Sequence, residues 1–334
     1  MRVMLAPMEG VVDHLMRDML TRVGGFDQCV TEFVRVVDQK LPKKTFYRLC
    51  PELHNGGKTP AGVPVRVQLL GQHPQWLAEN AQTAIELGSP GVDLNFGCPA
   101  PKVTKICAGA ALMGEPENLV SMCEAVVDRV NIPVTAKMRL GTGQGNFNAK
   151  EICQELENVG IQRLCVHGRT LRQRYSGVAD WDYIKEVVKS LEVPVIANGD
   201  VVDSKSAAAC LQKTNASGLM IGRGAIGRPA MFGYLKVGLG WIEETDLPWV
   251  KINENWSDLD ETQQAFATRK WCWDRYIQLS KDTVGIQPRW MQRHAVAFSK
   301  GLPGGKKIRS IMHEMPTPED FADAISEFLI GVPA

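Results

Sequence analysis

Short apolar runs rich in β-branched residues alternate along the first two-thirds of the chain with segments whose apolar residues recur at helical spacing. The runs cover residues 2–6, 29–33, 65–70, 91–94, 134–140, 163–166, 194–197 and 218–221, and predict eight strands. Between them, residues 74–87, 117–130, 149–159, 181–191 and 204–213 predict helices. Strict alternation of strand and helix implies a parallel sheet. Eight such repeats in about 230 residues match the size of a (β/α)8 TIM barrel. A doubly wound open sheet is the structural alternative, but no early GxGxxG follows the first strand.

After Pro229 the pattern changes. Residues 236–261 are rich in Trp, Asp and Glu without a strand signal, and read as a connection that becomes helical near Leu259. Beyond it, residues 261–279, 288–300, 306–312 and 318–330 predict helices. Thr317, followed by Pro318, Glu319 and Asp320, is a good helix start. The expected architecture is therefore α/β: a barrel over residues 1–240 and a small all-α C-terminal domain over residues 241–334.

Composition narrows the class. Of 334 residues, 44% are hydrophobic and 22% charged, the balance of a soluble globular protein. A formal net charge of +1 means that any nucleic-acid site must come from uneven placement of charge. The nine cysteines form no CxxC pair and no His/Cys metal spacing, so neither zinc nor an iron–sulfur cluster is expected. Free thiols in that number point to a reducing cytoplasm. The first seven residues are too short, and too soon broken by Pro7, for a signal peptide, and no apolar run reaches membrane-span length. Nothing indicates an oligomer, so a monomer is expected.

In a TIM barrel the chemistry sits where strands end and loops begin. The first strand ends in Pro7-Met8-Glu9-Gly10, the third carries Gln68, and the fourth ends in Asn95-Phe96-Gly97-Cys98-Pro99. The fifth holds Lys137 and Arg139, the sixth ends in His167-Gly168-Arg169-Thr170, the seventh in Asn198-Gly199-Asp200, and the eighth in Gly222-Arg223-Gly224. Gly199, Gly222 and Gly224 let backbone N–H groups approach a phosphate closely, and Arg223 adds a charged fork. The plainer reading makes these glycines tight turns; both motifs at the expected strands favour a phosphate ligand. Lys137 would point into the barrel, where a lysine needs a partner. A bound anion such as the pyrimidine edge of a reduced flavin would serve, with Gln68 on the same edge. The alternative is a structural lysine paired to a carboxylate such as Asp93. Cys98 stands in a turn just past a strand, at the barrel mouth. A thiol with the reference pKa of about 8.5 is mostly protonated at neutral pH and can donate a proton. Most of the other cysteines read as inert packing, for example Cys123 and Cys210 in helical segments. His167 reads as a hydrogen-bond partner of cofactor or substrate, since no second ligand is placed for a metal.

Taken in order, these motifs resemble the tRNA-dihydrouridine synthase family. The matching pieces are residues 5–10, 67–71, 93–99, 137–141, 166–170, 197–200 and 220–224, which run through the whole barrel. The resemblance implies a TIM barrel with a C-terminal helical domain, FMN as cofactor and NADPH as reductant. It places Pro7, Met8 and Glu9 against the flavin, Gln68 and Lys137 on its ring, and Asn198, Gly199, Asp200, Gly222 and Arg223 at its ribityl and phosphate end. It makes Cys98 the proton donor and sets Asn95 beside the uracil. The implied reaction adds a hydride to uracil C6 and a proton from Cys98 to C5, on a base moved out of its stack.

Residues 31–38 and 50–53 resemble the bacterial C-type enzymes, which act at position 16 of the D-loop. Residues 101–103, 109–112 and 300–304 look more like the B-type, which acts at position 17. Arg35 lies in the C-type match, near where that subfamily reads its RNA, and favours position 16. A basic stretch from Arg289 to Arg309 includes Arg293 and carries no Asp or Glu, and upstream Arg269, Lys270 and Arg275 are interleaved with Trp271, Trp273 and Tyr276. That is the electrostatic footprint of a phosphate-backbone binder; the plainer reading is a solvated helix face with core aromatics. Arg139, Lys102, Lys105, Arg172 and Arg174 are the further candidates for contact with tRNA. Two rivals stay open: an FMN barrel acting on a free dihydropyrimidine or dihydroorotate, and a tRNA-binding factor without catalysis.

Overall fold

The computed structural model describes residues 2–143, 147–247, 250, 256–283, 288–311 and 314–330. Eight parallel strands close into a barrel in sequence order, with the last strand pairing to the first. They are β1 (Arg2–Leu5), β2 (Gln28–Arg35), β3 (Val65–Leu70), β4 (Val92–Phe96), β5 (Val134–Met138), β6 (Arg163–His167), β7 (Val195–Asn198) and β8 (Gly218–Ile221). The barrel, and not the open sheet, is therefore the architecture. Only β3 and β8 keep the bounds read from the sequence; the others shift by one or two residues at one or both ends, and β4 runs on to Phe96. β2 runs on to Arg35 through a register irregularity between Val30 and Phe33. β5 stops at Met138, because Leu140 turns its N–H to the carbonyl of Arg169 in the next loop (3.2 Å).

The helices are α1 (His14–Val23), α2 (Lys43–Leu49), α3 (Pro74–Glu86), α4 (Pro101–Thr104), α5 (Pro116–Arg129), α6 (Ala149–Asn158), α7 (Trp181–Lys189), α8 (Ser204–Thr214), α9 (Arg223–Gly227), α10 (Met231–Gly238), α11 (Glu261–Thr283), α12 (Pro288–Ser299), α13 (Gly305–Ser310) and α14 (Pro318–Leu329). The sequence pattern does not predict α1, because its buried face mixes Met16, Met19 and Leu20 with Arg17 and Thr21. Nor does it predict a helix directly after β8, where α9 and α10 lie; α10 continues to Gly238, into the stretch read as a connection, and its two glycines hide it from propensity. The expected helix over residues 306–312 is α13, and Met312 lies outside the described residues.

Internal contacts divide the chain into two compact units: Met1–Pro7, Phe26–Val201 and Lys205–Ile221; and Met8–Gly25, Val202–Ser204 and Gly222–Ala334. The first holds the barrel. Its strand residues alternate between an outer face under the helices and an interior. Met4, Ala6, Val30, Cys165, Ile196 and Met220 meet in one buried interior cluster. Each large apolar side chain so enclosed contributes about 1.5–3 kcal/mol.

The second unit is helical. Asp13 caps α1 by accepting from Met16 N (2.8 Å). The fully buried Trp273 of α11 donates to the carbonyl of Ala322 on α14 (3.1 Å). Arg269 donates to the carbonyls of Phe298 (3.0 Å) and Lys300 (2.7 Å), closing the C-terminal end of α12. His294 donates from Nε2 to the carbonyl of Val11 (2.8 Å). Thr317 and Asp320 form a reciprocal capping box at the start of α14, as its sequence predicts. Among the described residues, no helix is long and apolar enough to cross a membrane.

Candidate active site

The ladder register decides which side chains meet. Gln68 lies opposite Asp93, Asp93 opposite Thr135, and Asn95 opposite Lys137. Since faces alternate, Asp93 and Asn95 share the barrel interior with Thr135, Lys137 and Arg139. Thr135 Oγ1 donates to Asp93 Oδ1 (2.6 Å), and Gln68 Nε2 donates to Asp93 Oδ2 (2.7 Å). Gln68 Oε1 in turn accepts from Asn95 Nδ2 (2.7 Å). This chain fixes both amide orientations, because each carbonyl oxygen must face a donor. Gln68 is fully buried and both ends of its amide are engaged within it. Burial raises the Asp93 pKa against the pull of Gln68 and Thr135. Asp93 is not the partner of Lys137: two hydrogen bonds already take up its oxygens.

Lys137 finds a neutral partner instead. Its ammonium donates to Asn198 Oδ1 (3.0 Å). The same oxygen accepts from His167 Nδ1 (2.9 Å), while Asn198 Nδ2 donates to the carbonyl of Met220 (2.7 Å). The Met220 carbonyl sets the amide, and the amide sets the histidine: Nδ1 carries the proton and Nε2 is left as an acceptor. Arg169 Nη1 lies 3.4 Å from that Nε2. Burial, and then the charges of Lys137, Arg139 and Arg169, push the His167 pKa well below its ordinary value, so the ring is neutral. Burial likewise lowers the pKa of Lys137, and no carboxylate among the described residues reaches ion-pair distance of it.

Cys98 follows β4 in a turn organised by Asn95, whose Oδ1 accepts from Gly97 N (3.0 Å) and Cys98 N (2.9 Å). Ala110 N holds the Cys98 carbonyl from the other side (3.0 Å). Gly109 makes that approach possible: at φ +61°, a Cβ there would lie 2.8 Å from the Cys98 carbonyl oxygen. A Cβ on Gly97 would sit 3.8 Å from Lys137 Nζ, so the ammonium passes close to the backbone beside Cys98. The Cys98 side chain is half-buried. Cys123, Cys153, Cys165, Cys210 and Cys272 are buried, and burial raises the pKa of every one of those thiols.

Arg139 holds the loops around this turn. Buried at the end of β5, it donates from Nε to the carbonyl of Gly97 (2.7 Å), and from Nη1 to those of Thr170 (3.0 Å) and Arg174 (2.8 Å). Its guanidinium carbon lies 5.6 Å from the ring centroid of exposed Tyr175. Asp200, at φ +59°, accepts two bonds from Arg169 Nη2 (2.7 and 2.8 Å) and one from Ala179 N (2.6 Å). A Cβ on Gly199 would lie 2.8 Å from that of Ala179, so packing alone already demands glycine there.

The structure thus brings Gln68, Asn95, Cys98, Lys137, Arg139, His167 and Asn198 into one polar constellation at the strand ends. Gly199, Asp200 and the partly exposed Pro7 belong to the same unit. Met8, Glu9, Gly222 and Arg223 belong to the second unit. There the Met8 carbonyl accepts from Val11 N and Val12 N (3.0 and 2.9 Å), the Gly222 carbonyl accepts from Ala225 N (2.9 Å), and Glu9 and Arg223 are exposed. Arg35, Lys102, Lys105, Arg172 and Arg174 are exposed on the first unit. Arg289 and Arg293 fall on α12, and their side chains lie outside the described residues. The aromatic interleaving upstream is corrected: Trp273, Tyr276 and Arg269 are buried in their own unit, and Lys270 pairs with Asp274.

Sequence reasoning missed the Thr135–Asp93–Gln68 chain and the Arg169–Asp200 pair. The period-two spacing of Asp93 to Asn95 and of Thr135 to Lys137 is the signal that would have found the first. Chemically, the constellation presents a cation without a counter-ion, amide groups, a neutral imidazole and an accessible thiol. That set suits a planar, electron-accepting heterocycle and delivery of one proton. Among the described residues, no group of His, Cys, Asp and Glu is arranged to hold a metal ion.

The family described as dihydrouridine synthase matches residues 4–328. A tRNA-dihydrouridine(16) synthase of Salmonella typhimurium is 48% identical over 255 residues, 75% of this chain and 80% of that protein. The protein of the same name in Escherichia coli K12 is 47% identical over 255 residues, 75% of this chain and 79% of its own. That of Vibrio cholerae is 48% identical over 253 residues, 74% and 78% of the two chains. Among solved structures, morphinone reductase overlays 71% of this chain and 86% of its own with a TM-score of 0.49, at 12% identity.

Proposed function

The chain belongs to the dihydrouridine synthase family, and from that premise we propose that it reduces the C5–C6 double bond of uridine 16 in the D-loop of tRNA, with FMN as cofactor and NADPH as reductant. One observation carries the reading: at the strand ends, the Lys137 ammonium has, among the described residues, the Asn198 amide as its one hydrogen-bond partner, and it passes beside the turn that presents Cys98. A cation enclosed without an anion is costly. The electron-rich pyrimidine edge of a reduced flavin is the anion that fits it.

In this reading Lys137 and Asn198 hold the flavin ring. Gln68 carries its assignment to the ring from its sequence motif and, fully buried and engaged by Asp93 and Asn95, keeps Asn95 in place beside the uracil. Gly199 is assigned to the ribityl and phosphate end, and Gly222 and Arg223 carry the same assignment from their sequence motif. Pro7, Met8 and Glu9 are assigned to the flavin face. Asp200 serves the cofactor through Arg169, which it anchors beside His167. Bound reduced FMN supplies the hydride that adds to uracil C6. Cys98 then gives its thiol proton to C5, as the negative charge that gathers there and on the adjacent carbonyl is discharged. Neutral His167 cannot compete as the acid, because its one proton is bonded to Asn198. Arg139 fixes the two loops flanking the thiol and so positions the uracil.

Arg35, Lys102, Lys105, Arg172 and Arg174 on the barrel loops are assigned to the tRNA backbone, as is the helical region 241–334 with Arg289 and Arg293. Position 16 rests on the C-type segment in β2 together with the names of the relatives. The test is a map of dihydrouridine in tRNA from a strain lacking this chain. Dihydrouridine should vanish at position 16 and return when the gene is restored. Loss at position 17 alone would refute the position, and an unchanged map with activity on free orotate or uracil would refute the tRNA substrate.

A further inference from the structure

The opposite end of the barrel buries positive charge that the proposed reaction does not use. All eight strands are parallel, so their first residues share one end. Arg2 opens β1, Arg66 is the second residue of β3 and Arg163 opens β6. With Thr135, Gln162 and Ser217 they line a cavity of about 350 Å³. No carboxylate among the described residues reaches ion-pair distance of any of the three guanidiniums. Among the described residues, the acid that acts on Arg66 and Arg163 is Asp93, from a distance, and its oxygens accept from Gln68 and Thr135.

Arg163 is held in place, and Arg66 is closely enclosed. Arg163 is 7% exposed and donates to Gln28 Oε1 (2.8 Å). Gln28 is 4% exposed, and among the described residues its Nε2 has no acceptor. Arg66 Nη1 is buried and likewise has none among them. A Cβ on Gly91 would lie 2.7 Å from Arg66 Nε, so glycine is what leaves room for that guanidinium. Burial, and then repulsion from Arg163, bring the Arg66 pKa down to about 10. Around an open volume, mutually repelling cations with no carboxylate at ion-pair distance among the described residues, and buried donors without acceptors, cost free energy that a bound anion removes.

We propose that this floor cavity binds a small oxyanion of the phosphate class, held by Arg66 and Arg163 with the exposed Arg2 as the third cation. Guanidinium forks match tetrahedral oxyanions. Three guanidiniums facing one remote carboxylate leave an excess of two positive charges, which a dianion balances. The volume takes such an ion with several waters, each needing about 30 Å³. Because the site is assembled from the starts of strands far apart in sequence, it exists only in the folded barrel, and occupancy stabilises the fold by mass action.

The test is equilibrium dialysis of radiolabelled inorganic phosphate against the flavin-loaded full chain, in chloride at fixed ionic strength, so that any cofactor phosphate loop is already filled. The parent should show one saturable site. Arg66→Met should weaken it by about tenfold or more. Arg2→Gln, an exposed change that spares folding, should weaken it several-fold while leaving dihydrouridine formation unchanged. Phosphate should also raise the Tm of the parent and not that of Arg66→Met. The proposal is overturned if the parent shows no saturable phosphate site, if Arg2→Gln and Arg66→Met both bind phosphate like the parent, or if tRNA displaces the phosphate, which would assign these arginines to an RNA backbone.

Discussion

The polar side chains at the strand ends and the basic side chains on the loops differ in what fixes them. Asn198 answers to Lys137, His167 and the Met220 carbonyl at once, and Asn95 answers to Gln68 and two backbone N–H groups. Arg35, Lys105, Arg172 and Arg174 are exposed to solvent. The difference separates two tasks. Chemistry needs groups held in one geometry before the substrate arrives. Recognition of a polyanion tolerates long, mobile cations whose small individual contributions add up along the backbone.

If that contrast is right, substitutions at the strand ends change rate and substitutions on the loops change salt dependence. The largest effect is expected at Lys137. Lys137→Met removes the cation opposite the cofactor's electron-rich edge, and dihydrouridine formation should fall by about 10²–10³-fold. A single-turnover assay with reduced enzyme measures it. A variant within a few-fold of the parent would make Lys137 a packing residue.

A medium effect concerns acid stability. The His167 ring is neutral in the fold because burial and three neighbouring cations depress its pKa. In the unfolded chain it takes up a proton near pH 6.5. Below that pH the unfolded state binds more protons, so this residue's contribution is complete above about pH 6.5 and is lost as pH falls toward the depressed folded value. His167→Gln should remove that limb, and the stability gap between parent and variant should change by up to about 1.4 kcal/mol per pH unit. Urea melts between about pH 5 and 7 read it; parallel curves would mean that the ring's pKa is the same in the folded and unfolded chain.

The smallest effect belongs to the loops. Lys102→Ala with Lys105→Ala should lower tRNA affinity only a few-fold, with turnover at saturating tRNA intact. The slope of log K against log salt should shrink by about 0.7–0.9 for each phosphate that these lysines no longer neutralise. An unchanged slope would take the region of α4 out of the RNA surface.

The same contrast explains what was legible in the sequence. The barrel was, because strand runs and helical spacing are local signals, and closure is the solution that an eightfold repeat of that size allows. That Cys98, Lys137, His167 and Asn198 come to one end of the barrel was legible too, because Cys98, His167 and Asn198 stand at or just past a strand end beside a glycine, and Lys137 is a lysine within an apolar strand. Partnerships across strands were not. Asp93 looked available to Lys137, yet the register sets it against Thr135, one step below. Facing direction on the helices was also hidden. Trp273, Tyr276 and Arg269 read as an aromatic-basic surface and instead fill the core of the helical unit. The floor arginines carry no motif of their own: they stand singly at strand beginnings, and only closure of the barrel brings them around one cavity.

We assign to Cys98 the proton that completes uracil reduction. The most direct measurement pairs two readouts on Cys98→Ala: oxidation of NADPH by the flavin-loaded enzyme, and dihydrouridine formed in tRNA by the same preparation. NADPH oxidation should be unchanged and dihydrouridine formation slowed by about 10²–10⁴-fold, while Cys123→Ala, a change at a buried position of α5, should keep both. Dihydrouridine formation at the parent rate in Cys98→Ala would contradict the assignment.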